Sequence, residues 1–535
     1  MTSNSKYHKD YTGFHNTYQL VLPLNLEGWI PNDESVRLLS HILEGLNYQS
    51  LYQAYSRSGR KPAVEPKLMF QILVYAYSQK IYSSRKIEQA CRRDINFLWL
   101  LAGNKAPDHS TISRFRTVFL KDAGGDLFGQ LSRLLLDLGE AGGDNLFVDG
   151  TKLESKANKY TFVWKKSVLK HEASMQEELL ERIGQISREH QETLKFRKET
   201  AVDDLKEAVL RLSKQMEAQG ITPVHGRGHK KSQLQKDQEY LASCLERQAG
   251  YDQHKKILRD RNSDSKTDPD ATFLHMKDDP MRNGQLKPGY NIQIGVDSEY
   301  IMGAGIFSNR NDSNTLIPFL QETERSLCHN YQSITADAGY ETEENYVWLE
   351  KEGKTPYIKP ITYEERKKRS FQKKIGRREN MEYIEEGDCY LCRQGRILWH
   401  AGKRKKSSVT GYESHQDVYQ CEDCSGCPHL GGECTRSKKV KQLYVSKVLV
   451  EKREQSWKNI KSPEGIRYRM NRSIQVEGAF GVLKGDYGFR RFLTGGTRNV
   501  KTEFLLLCMG YNINKLHAKI QRGRLKSHLY EIKGA

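Results

Sequence analysis

Apolar residues recur at helical spacing through the first 140 residues of the chain. Pro66 opens one such helix, because proline is favoured in the first helical turn. The next helix is expected from Ser83 or Ser84, with Ile87 and Cys91 apolar four residues apart. The pattern predicts a region built mostly of short helices.

A third helix in this region has a more specific pattern. Residues 107–116 begin with capping residues, Asp108 among them, and continue as a basic and apolar helix that carries Arg114 and Arg116. Short helices, a tight polar turn and then a helix bearing serine, threonine and arginine are typical of a helix-turn-helix motif with its recognition helix. An ordinary helical bundle is the alternative.

Residues 165–261 are charged and helix-forming, and they follow a short apolar strand at 145–148. Apolar residues then step by three and four positions, as in a heptad seam, at Val202, Leu205, Val209, Leu212 and Met216. A break at 220–228 precedes a second helix that carries Leu234, Leu241 and Leu245. This pattern predicts an antiparallel helical hairpin inserted after the strand.

Apolar runs bounded by turn residues predict the strands of a sheet. They occur at residues 145–148, 272–276, 290–296, 301–307, 333–336 and 356–359. Helices are expected after the capping residues 311–314 and from about Glu343. The order of the elements indicates an α+β fold with a mixed sheet flanked by helices, which fits a ribonuclease H-like core.

The chain is long enough for several domains. At roughly 100–200 residues per domain, 535 residues allow three to four. The predicted parts are a helical N-terminal DNA-binding domain at 1–140, the first parts of the core at 141–164 and 262–362, the helical hairpin at 165–261, a basic cysteine-rich insertion at 363–450, and C-terminal helices at 451–535 that complete the core.

The charge balance points to a polyanionic partner. The chain carries 86 lysines and arginines against 67 acidic residues, a formal charge of +19, and basic residues placed on phosphates release condensed counterions. The surplus is clustered at 366–378, 403–406 and 438–441. A single basic run can be a solvated surface, but several on one basic chain favour nucleic acid.

The composition also excludes classes of protein. No stretch reaches the ~18 apolar residues of a membrane helix, and the polar residues 1–10 lack the apolar segment of a secretory signal. A membrane protein, a small secreted disulfide scaffold and a disordered tail are therefore excluded. We expect a basic, multidomain, cytoplasmic protein.

Three acidic residues are candidates for metal-dependent chemistry. Asp149 and Asp337 each follow an apolar strand directly before a glycine-containing turn, and Glu477 lies in a helical segment that we expect to be covered on much of its surface. In-line phosphodiester cleavage or transfer needs two divalent ions about 3.5–4 Å apart, and three carboxylates suit Mg²⁺ or Mn²⁺. Lys484, two helical turns beyond Glu477, is placed to contact a phosphate.

Six of the ten cysteines cluster with the spacing of a zinc site: Cys389, Cys392, Cys421, Cys424, Cys427 and Cys434. In a cytoplasmic protein this spacing favours thiolate zinc over disulfides. The preferred ligands are Cys392, Cys421, Cys424 and Cys427, with Cys434 competing for the last place, Cys389 spare and His429 a substitute. A reduced, metal-free loop is the alternative. The other four cysteines are expected to be small apolar residues of helices and strands.

The acidic blocks resemble those of a known family. They are Asp149-Gly150-Thr151-Lys152, Ala336-Asp337-Ala338-Gly339-Tyr340 and Arg472-Ser473-Ile474-Gln475-Val476-Glu477-Gly478-Ala479-Phe480. They look like the three acidic blocks of bacterial DDE transposases, and most of all those of the insertion-sequence group IS1182 within the IS5/IS4-like set. Residues 283–291 and 66–116 are similar to segments of the same group, so the likeness covers nearly the whole chain.

The resemblance implies a ribonuclease H-like domain in which Asp149, Asp337 and Glu477 hold two Mg²⁺ or Mn²⁺ ions. Related transposases carry tyrosine and arginine where this chain has Met470 and Ser473, and Tyr468 and Arg472 are the candidates to replace them. The residues assigned to DNA or phosphate contacts are Lys484, Arg472, Arg114, Arg116 and Lys287.

The leading hypothesis is the transposase of an insertion sequence. It would bind the terminal inverted repeats of its element and target DNA, act as a homodimer or larger assembly on DNA, and work at the bacterial nucleoid. One alternative is a non-catalytic DNA-binding protein derived from a transposase. The other is a different ribonuclease H-fold nuclease, such as one guided by RNA, although there the zinc ribbon precedes a final aspartate.

Overall fold

The computed structural model describes residues 25–55, 62, 64–226, 230–276, 284–437 and 439–531. The predictions made for residues 1–10, Asn283 and Lys438 lie outside these ranges. None of the described helices combines the length and the apolar character needed to cross a membrane.

Helices build the described N-terminal region, as the sequence pattern predicts: α1 Leu26–Trp29, α2 Ser35–Glu44, α3 Gln49–Gln53, α4 Pro66–Ser78, α5 Ser84–Arg93, α6 Ile95–Leu101, α7 His109–Arg114 and α8 Leu120–Asp137. Asp108 caps α7 by accepting the N–H of Thr111 at 2.7 Å. A π-helical turn, Phe115–Phe119, joins α7 to α8. The expected recognition helix is therefore the first part of a longer helix.

The strands between the N-terminal helices and the cysteine-rich insertion are β1 Asn145–Glu154, β2 Phe162–Trp164, β3 Ser263–Ser265, β4 Thr272–His275, β5 Leu286–Asp297, β6 Tyr300–Phe307, β7 Ser333–Ala336 and β8 Thr355–Ile358. Six of them form one mixed sheet, in which β8, β7, β1 and β5 follow one another and both β4 and β6 pair with the far side of β5. β1, β7 and β8 are parallel, and β5 runs antiparallel to β1, β4 and β6. β2 and β3 pair separately.

β1 is longer than the sequence predicts. The strand was expected to end at Val148, but it continues to Glu154. The reason is that β5 keeps pairing with it, from Asp149 opposite Ile294 to Glu154 opposite Gly289, after β7 has ended. Asp149 therefore lies within a strand and not at its end.

The described part of the insertion after β2 contains three helices, one more than predicted: α9 Lys165–Glu189, α10 Ala201–Ala218 and α11 Gln233–Leu258. They share a core of their own, formed by Met175, Leu179, Ile183, Ile186, Leu205, Ala208, Leu212, Met216, Leu234, Leu241 and Cys244. α10 and α11 are the two helices of the predicted hairpin, and they pack against each other. The prediction missed α9, because its apolar positions were not recognised as part of the seam. The seam of α10 packs within its own chain.

The remaining elements cover the sheet and form the cysteine-rich module: α12 Leu316–Leu327, α13 Glu343–Lys351, α14 Tyr363–Arg366, α15 Arg369–Gln372, β9 Glu382–Ile384, β10 Cys389–Leu391, β11 Ile397–Ser407, β12 Glu413–Cys421, β13 Gln442–Val445, α16 Lys447–Lys461, α17 Pro463–Arg472, α18 Gly478–Gly481 and α19 Thr497–Gln521. Strands β9 to β13 form a second, antiparallel sheet.

Helices lie on both faces of the central sheet. Thr323 of α12 contacts Gly303 on one face, and Tyr468 of α17 packs its ring against Phe147 on the other. α19 lies so close to α4 that a Cβ on Gly510 would come within 2.7 Å of the backbone nitrogen of Ser78. One core runs from the N-terminal helices through the sheet to α19.

Candidate active site

Asp149 and Asp337 lie side by side where β1 and β7 separate. Val148 is opposite Ala336 in the last register pair of these parallel strands, so the next residue on each chain segment is an aspartate. Neighbouring strands are ~4.8 Å apart, which brings both carboxylates to one edge of the β1–β7 pairing. Each is half-buried and accepts the backbone N–H of the residue that follows it, at 2.7 Å in both cases.

Glu477 belongs to a π-helical turn, Ser473–Glu477, that follows α17. Such turns are rare and are frequent at functional sites. The Glu477 side chain is 55% exposed, and Ile474 beside it is 41% exposed. The expectation that this segment is covered on much of its surface was wrong, because one of its faces is open to solvent.

Arg472 connects Glu477 to Asp149. Its Nη1 donates to Asp149 Oδ2 at 3.1 Å, and its Nη2 donates to Glu477 Oε1 at 3.3 Å. Only 15% of the Arg472 side chain is exposed, so its charge acts in a partly desolvated setting and offsets the repulsion between the carboxylates. Arg472, which the sequence analysis assigned to a phosphate contact, therefore forms ion pairs with two candidate catalytic acids in this structure.

We expect Arg472→Gln to strengthen the binding of Mn²⁺ to the metal-free protein by roughly fivefold, the equivalent of about 1 kcal/mol. Without the guanidinium, Asp149 and Glu477 lack their shared cation, and Mn²⁺ replaces the lost positive charge. Electron paramagnetic resonance of free Mn²⁺ during a titration measures the effect. Arg469→Gln is the matched control, because Arg469 donates to the Tyr363 hydroxyl and not to an acid. Weaker binding in Arg472→Gln would show that Arg472 supports the metal site instead of competing with the ion.

Tyr468 and Lys484 are the other residues that the sequence analysis named around Glu477. Tyr468 is 8% exposed and packs against Phe147 and Tyr357, with ring centroids 6.0 and 5.1 Å away. It lies about 13 Å along the helix before Glu477 and is a core residue, so its proposed substitution for the family tyrosine was wrong. Lys484 is half-buried in a second π-helical turn, Val482–Asp486, and its phosphate contact stays a prediction.

Arg116 is largely buried and reaches only the wall of the groove between α5 and α7. It is 5% exposed, and its Nη1 donates to the Tyr77 hydroxyl and to the Tyr82 carbonyl, both at 2.9 Å. Its assignment as a DNA contact was wrong, because a basic residue in a short helix can also turn inward and hold neighbouring helices together. Lys287 is half-buried on β5 and forms an ion pair with Glu154.

Arg114 is exposed at a groove between α5 and α7. The groove has a volume of about 690 Å³, and most of its lining is polar or basic: Ser83, Ser84, Arg85, His109, Ser110, Ser113, Arg114 and Thr117. The hydroxyl and guanidinium donors of this surface match the acceptor oxygens of a nucleic-acid backbone. The predicted recognition helix therefore contributes one face of an open, donor-rich groove.

A fourth carboxylate, which the sequence analysis missed, lies near the aspartate pair. Asp312 Oδ1 accepts the side-chain amide N–H groups of Asn291 at 2.7 Å and Gln293 at 2.9 Å, and Gln293 Oε1 accepts the hydroxyl of the buried Tyr340. Burial, and then the charges of Asp312 and of the two candidate catalytic aspartates, raise the pKa of Tyr340 well above its usual range. The sequence signal that could have revealed this network is the pair of amide residues, Asn291 and Gln293, in the otherwise apolar and buried strand β5.

Five of the six clustered cysteines lie near one another, at the end of β12 and in the segments that connect the strands of the second sheet. Cys421 contacts Cys424 and lies near Cys392, and Cys434 lies near Cys392, Cys424 and Cys427. Burial raises the pKa of the Cys421 thiol to about 12. The backbone N–H of Lys441 donates to Cys424 Sγ at 3.4 Å, the kind of contact that supports a metal-bound sulfur.

The ligand atoms of the clustered cysteines, and those of the three candidate catalytic acids, lie farther apart than the ligand atoms around a bound ion. Within the described part of the chain, three ligand atoms come within 4.8 Å of one another only at Glu189, His190 and Asp237, between α9 and α11. There Asp237 already accepts from Arg182 at 2.8 Å and contacts His190 Nε2 at 2.9 Å. That cluster is a charge-paired helix contact.

Comparisons with known proteins find transposase domains at both ends of the chain. Residues 391–517 match a family model described as Transposase DDE domain, and residues 24–118 match one described as Transposase domain (DUF772). The first match spans most of the cysteine-rich module, Glu477 and most of α19, and the second spans α1 to α7. No curated protein and no solved structure matches the chain. The two matches support a bacterial-type DDE transposase.

Proposed function

We propose that this protein is the transposase of an insertion sequence of the IS1182 group, which binds the terminal inverted repeats of its element and cleaves and joins DNA strands. The observation that carries the proposal is the register of β1 and β7, which places Asp149 next to Asp337, with Glu477 linked to Asp149 through Arg472. The transposase matches at both ends of the chain support it independently.

The strand order supports a ribonuclease H-like catalytic core. Read across the sheet as β6, β5, β1, β7 and β8, the first three strands alternate in direction and the last three are parallel. Helices cover both faces, and the candidate acids lie where the parallel pairing of β1 and β7 ends. This is the arrangement expected when carboxylates from distant parts of a chain share one site.

The three carboxylates fit a pair of divalent ions. Asp149, Asp337 and Glu477 offer hard oxygen ligands that suit Mg²⁺ or Mn²⁺, and Glu477 is accessible to solvent and substrate. Bound there, two ions would activate the attacking oxygen and stabilise the leaving one. Water serves as the nucleophile for strand cleavage and a 3′ hydroxyl for strand joining, so the protein needs no covalent link to DNA.

Exposed basic residues are proposed to hold the DNA. Arg114 lies on the groove of α5 and α7, and residues 403–406 are exposed on the two-stranded ribbon of β11 and β12. Lys484 and Lys287 are further candidates. Because two element ends must be held together, at least two copies are proposed on DNA, and the surface of the α9–α11 bundle is a candidate contact between them.

A structural zinc is proposed for the cysteine-rich module. Cys392, Cys421 and Cys424 lie together, and Cys427 or Cys434 supplies the fourth sulfur. Zinc takes four such ligands in closed structural sites. Its role would be to hold the base of the basic ribbon.

The test is a cleavage assay with the purified full-length protein, Mg²⁺ or Mn²⁺, and duplex DNA carrying the repeats that flank this gene. We expect nicking at the repeat boundary that requires the metal and is absent on a scrambled repeat. Specific binding without nicking under either ion would favour the non-catalytic DNA-binding protein. Cleavage that depends on a co-purified RNA would favour the RNA-guided nuclease.

A further inference from the structure

We propose that Asp312 is a positioning residue of the candidate active site, which holds the backbone segments that carry Asp149 and Asp337. The proposal rests on the proposed function and adds to it a residue outside the three acidic blocks. Asp312 lies in a short 3₁₀ turn, Asp312–Asn314, between β6 and α12. It is the anionic member of a polar network near the aspartate pair.

Asp312 lies close to the backbone segments that follow the two candidate catalytic aspartates. A Cβ on Gly150, the residue after Asp149, would come within 2.8 Å of Asp312 Oδ1, so only a glycine leaves room for this approach. A Cβ on Gly339, two residues after Asp337, would lie 3.5 Å from Asp312 Oδ2. One carboxylate therefore lies beside both segments.

A second set of hydrogen bonds ties the same turns together. Asn345 of α13 is buried, and its Nδ2 donates to the carbonyls of Ser313 at 2.9 Å and Tyr340 at 2.8 Å. Tyr340 in turn donates its hydroxyl to Gln293, which donates to Asp312 Oδ1 at 2.9 Å. The network links β5, the Asp312 turn and the segment that follows Asp337 in a closed loop of contacts.

The position calls for a carboxylate. Asp312 Oδ1 receives two amide N–H groups, from Asn291 and Gln293, and an acceptor-only group satisfies both without turning a donor toward them. With Oδ1 held by these two donors, we assign Asp312 to positioning Gly150 and the turn after Asp337, and the number of bound ions distinguishes this role from that of a ligand. Residues that orient metal ligands in this way typically affect metal affinity by about 10–100-fold.

The test is a titration of the full-length protein with Mn²⁺ alone, followed by electron paramagnetic resonance. We expect Asp312→Asn to bind the same number of ions as the wild type with roughly tenfold weaker affinity. Excess Mn²⁺ should restore cleavage in part. Asp204→Asn is the matched control: Asp204 is buried in the α9–α11 bundle, and it accepts from Arg197 and Thr200. The control should bind Mn²⁺ like the wild type.

Gly150→Ala provides a second, independent variant. Its added methyl group displaces Asp312 and Gln293 while leaving every carboxylate in the chain, and it should weaken Mn²⁺ binding in the same way. Wild-type affinity in both variants would overturn the proposal. So would the loss of one bound ion in Asp312→Asn, since that is the behaviour of a direct ligand. If the wild type itself binds no Mn²⁺, or Asp149→Asn leaves binding unchanged, the proposed function fails as well.

Discussion

Asp149→Asn, Asp337→Asn and Glu477→Gln should each lower the rate of DNA strand cleavage by roughly 10³-fold or more, with repeat binding close to that of the wild type. Each substitution replaces a charged oxygen by a neutral amide of the same shape, so the site loses affinity for its ions and keeps its packing. A denaturing gel of end-labelled duplex measures the nicked product. A gel shift on the same preparations measures binding.

Glu344→Gln is the matched control for these variants. Glu344 lies on α13, shortly after Asp337, and it accepts the hydroxyl of Thr410 at 2.6 Å without contacting the candidate acids. It should cleave DNA like the wild type. Near-normal cleavage by any one of the three variants would remove that residue from the site. A parallel loss of repeat binding would instead point to a folding defect.

Much of the fold and the aspartate pair could be predicted from the sequence. The strands at 272–276, 290–296 and 301–307 are apolar runs bounded by turn residues, and the structure has β4, β5 and β6 there. The aspartates were chosen as candidates because each follows an apolar run in the sequence. Their adjacency depends on the register of Val148 opposite Ala336, which a single sequence does not contain.

The errors came from contacts between distant segments. The predicted β1 ended too early because Gly150 resembles a turn residue in the sequence. In the fold this glycine makes room for Asp312 and Gln293. Arg116 was predicted to face DNA, but which face of a helix turns inward depends on the segments packed against it. Here the Arg116 guanidinium is held by Tyr77 and Tyr82. Asp312 was interpreted as a helix cap, since only the tertiary structure brings its carboxylate to Asn291.

The cysteine-rich module should contain about one zinc per chain, and Cys424→Ser should lose the metal and unfold the module while the central sheet stays folded. The core of the second sheet is small, formed by Met381, Tyr390, Leu398, Tyr419, Cys421, Cys424, Leu443 and Val445. A core of this size gains much of its stability from a bound metal, because binding and folding are coupled. Metal analysis by mass spectrometry and limited proteolysis between β9 and β13 measure both effects.

Two further cysteines provide the controls. Cys328 is exposed and outside the module, and Cys389 is buried on β10, so Cys328→Ser and Cys389→Ser should both keep the zinc. Absence of zinc from the wild type would contradict the site itself.

The fourth ligand can be identified from the same analysis. Cys427 and Cys434 both lie near the other sulfurs, and zinc takes four ligands in a closed site. Of Cys427→Ser and Cys434→Ser, we therefore expect one to lose the metal and the other to retain it. Retention in both variants would mean that either sulfur can complete the site, whereas loss in both would require one of Cys392, Cys421 or Cys424 to lie outside it.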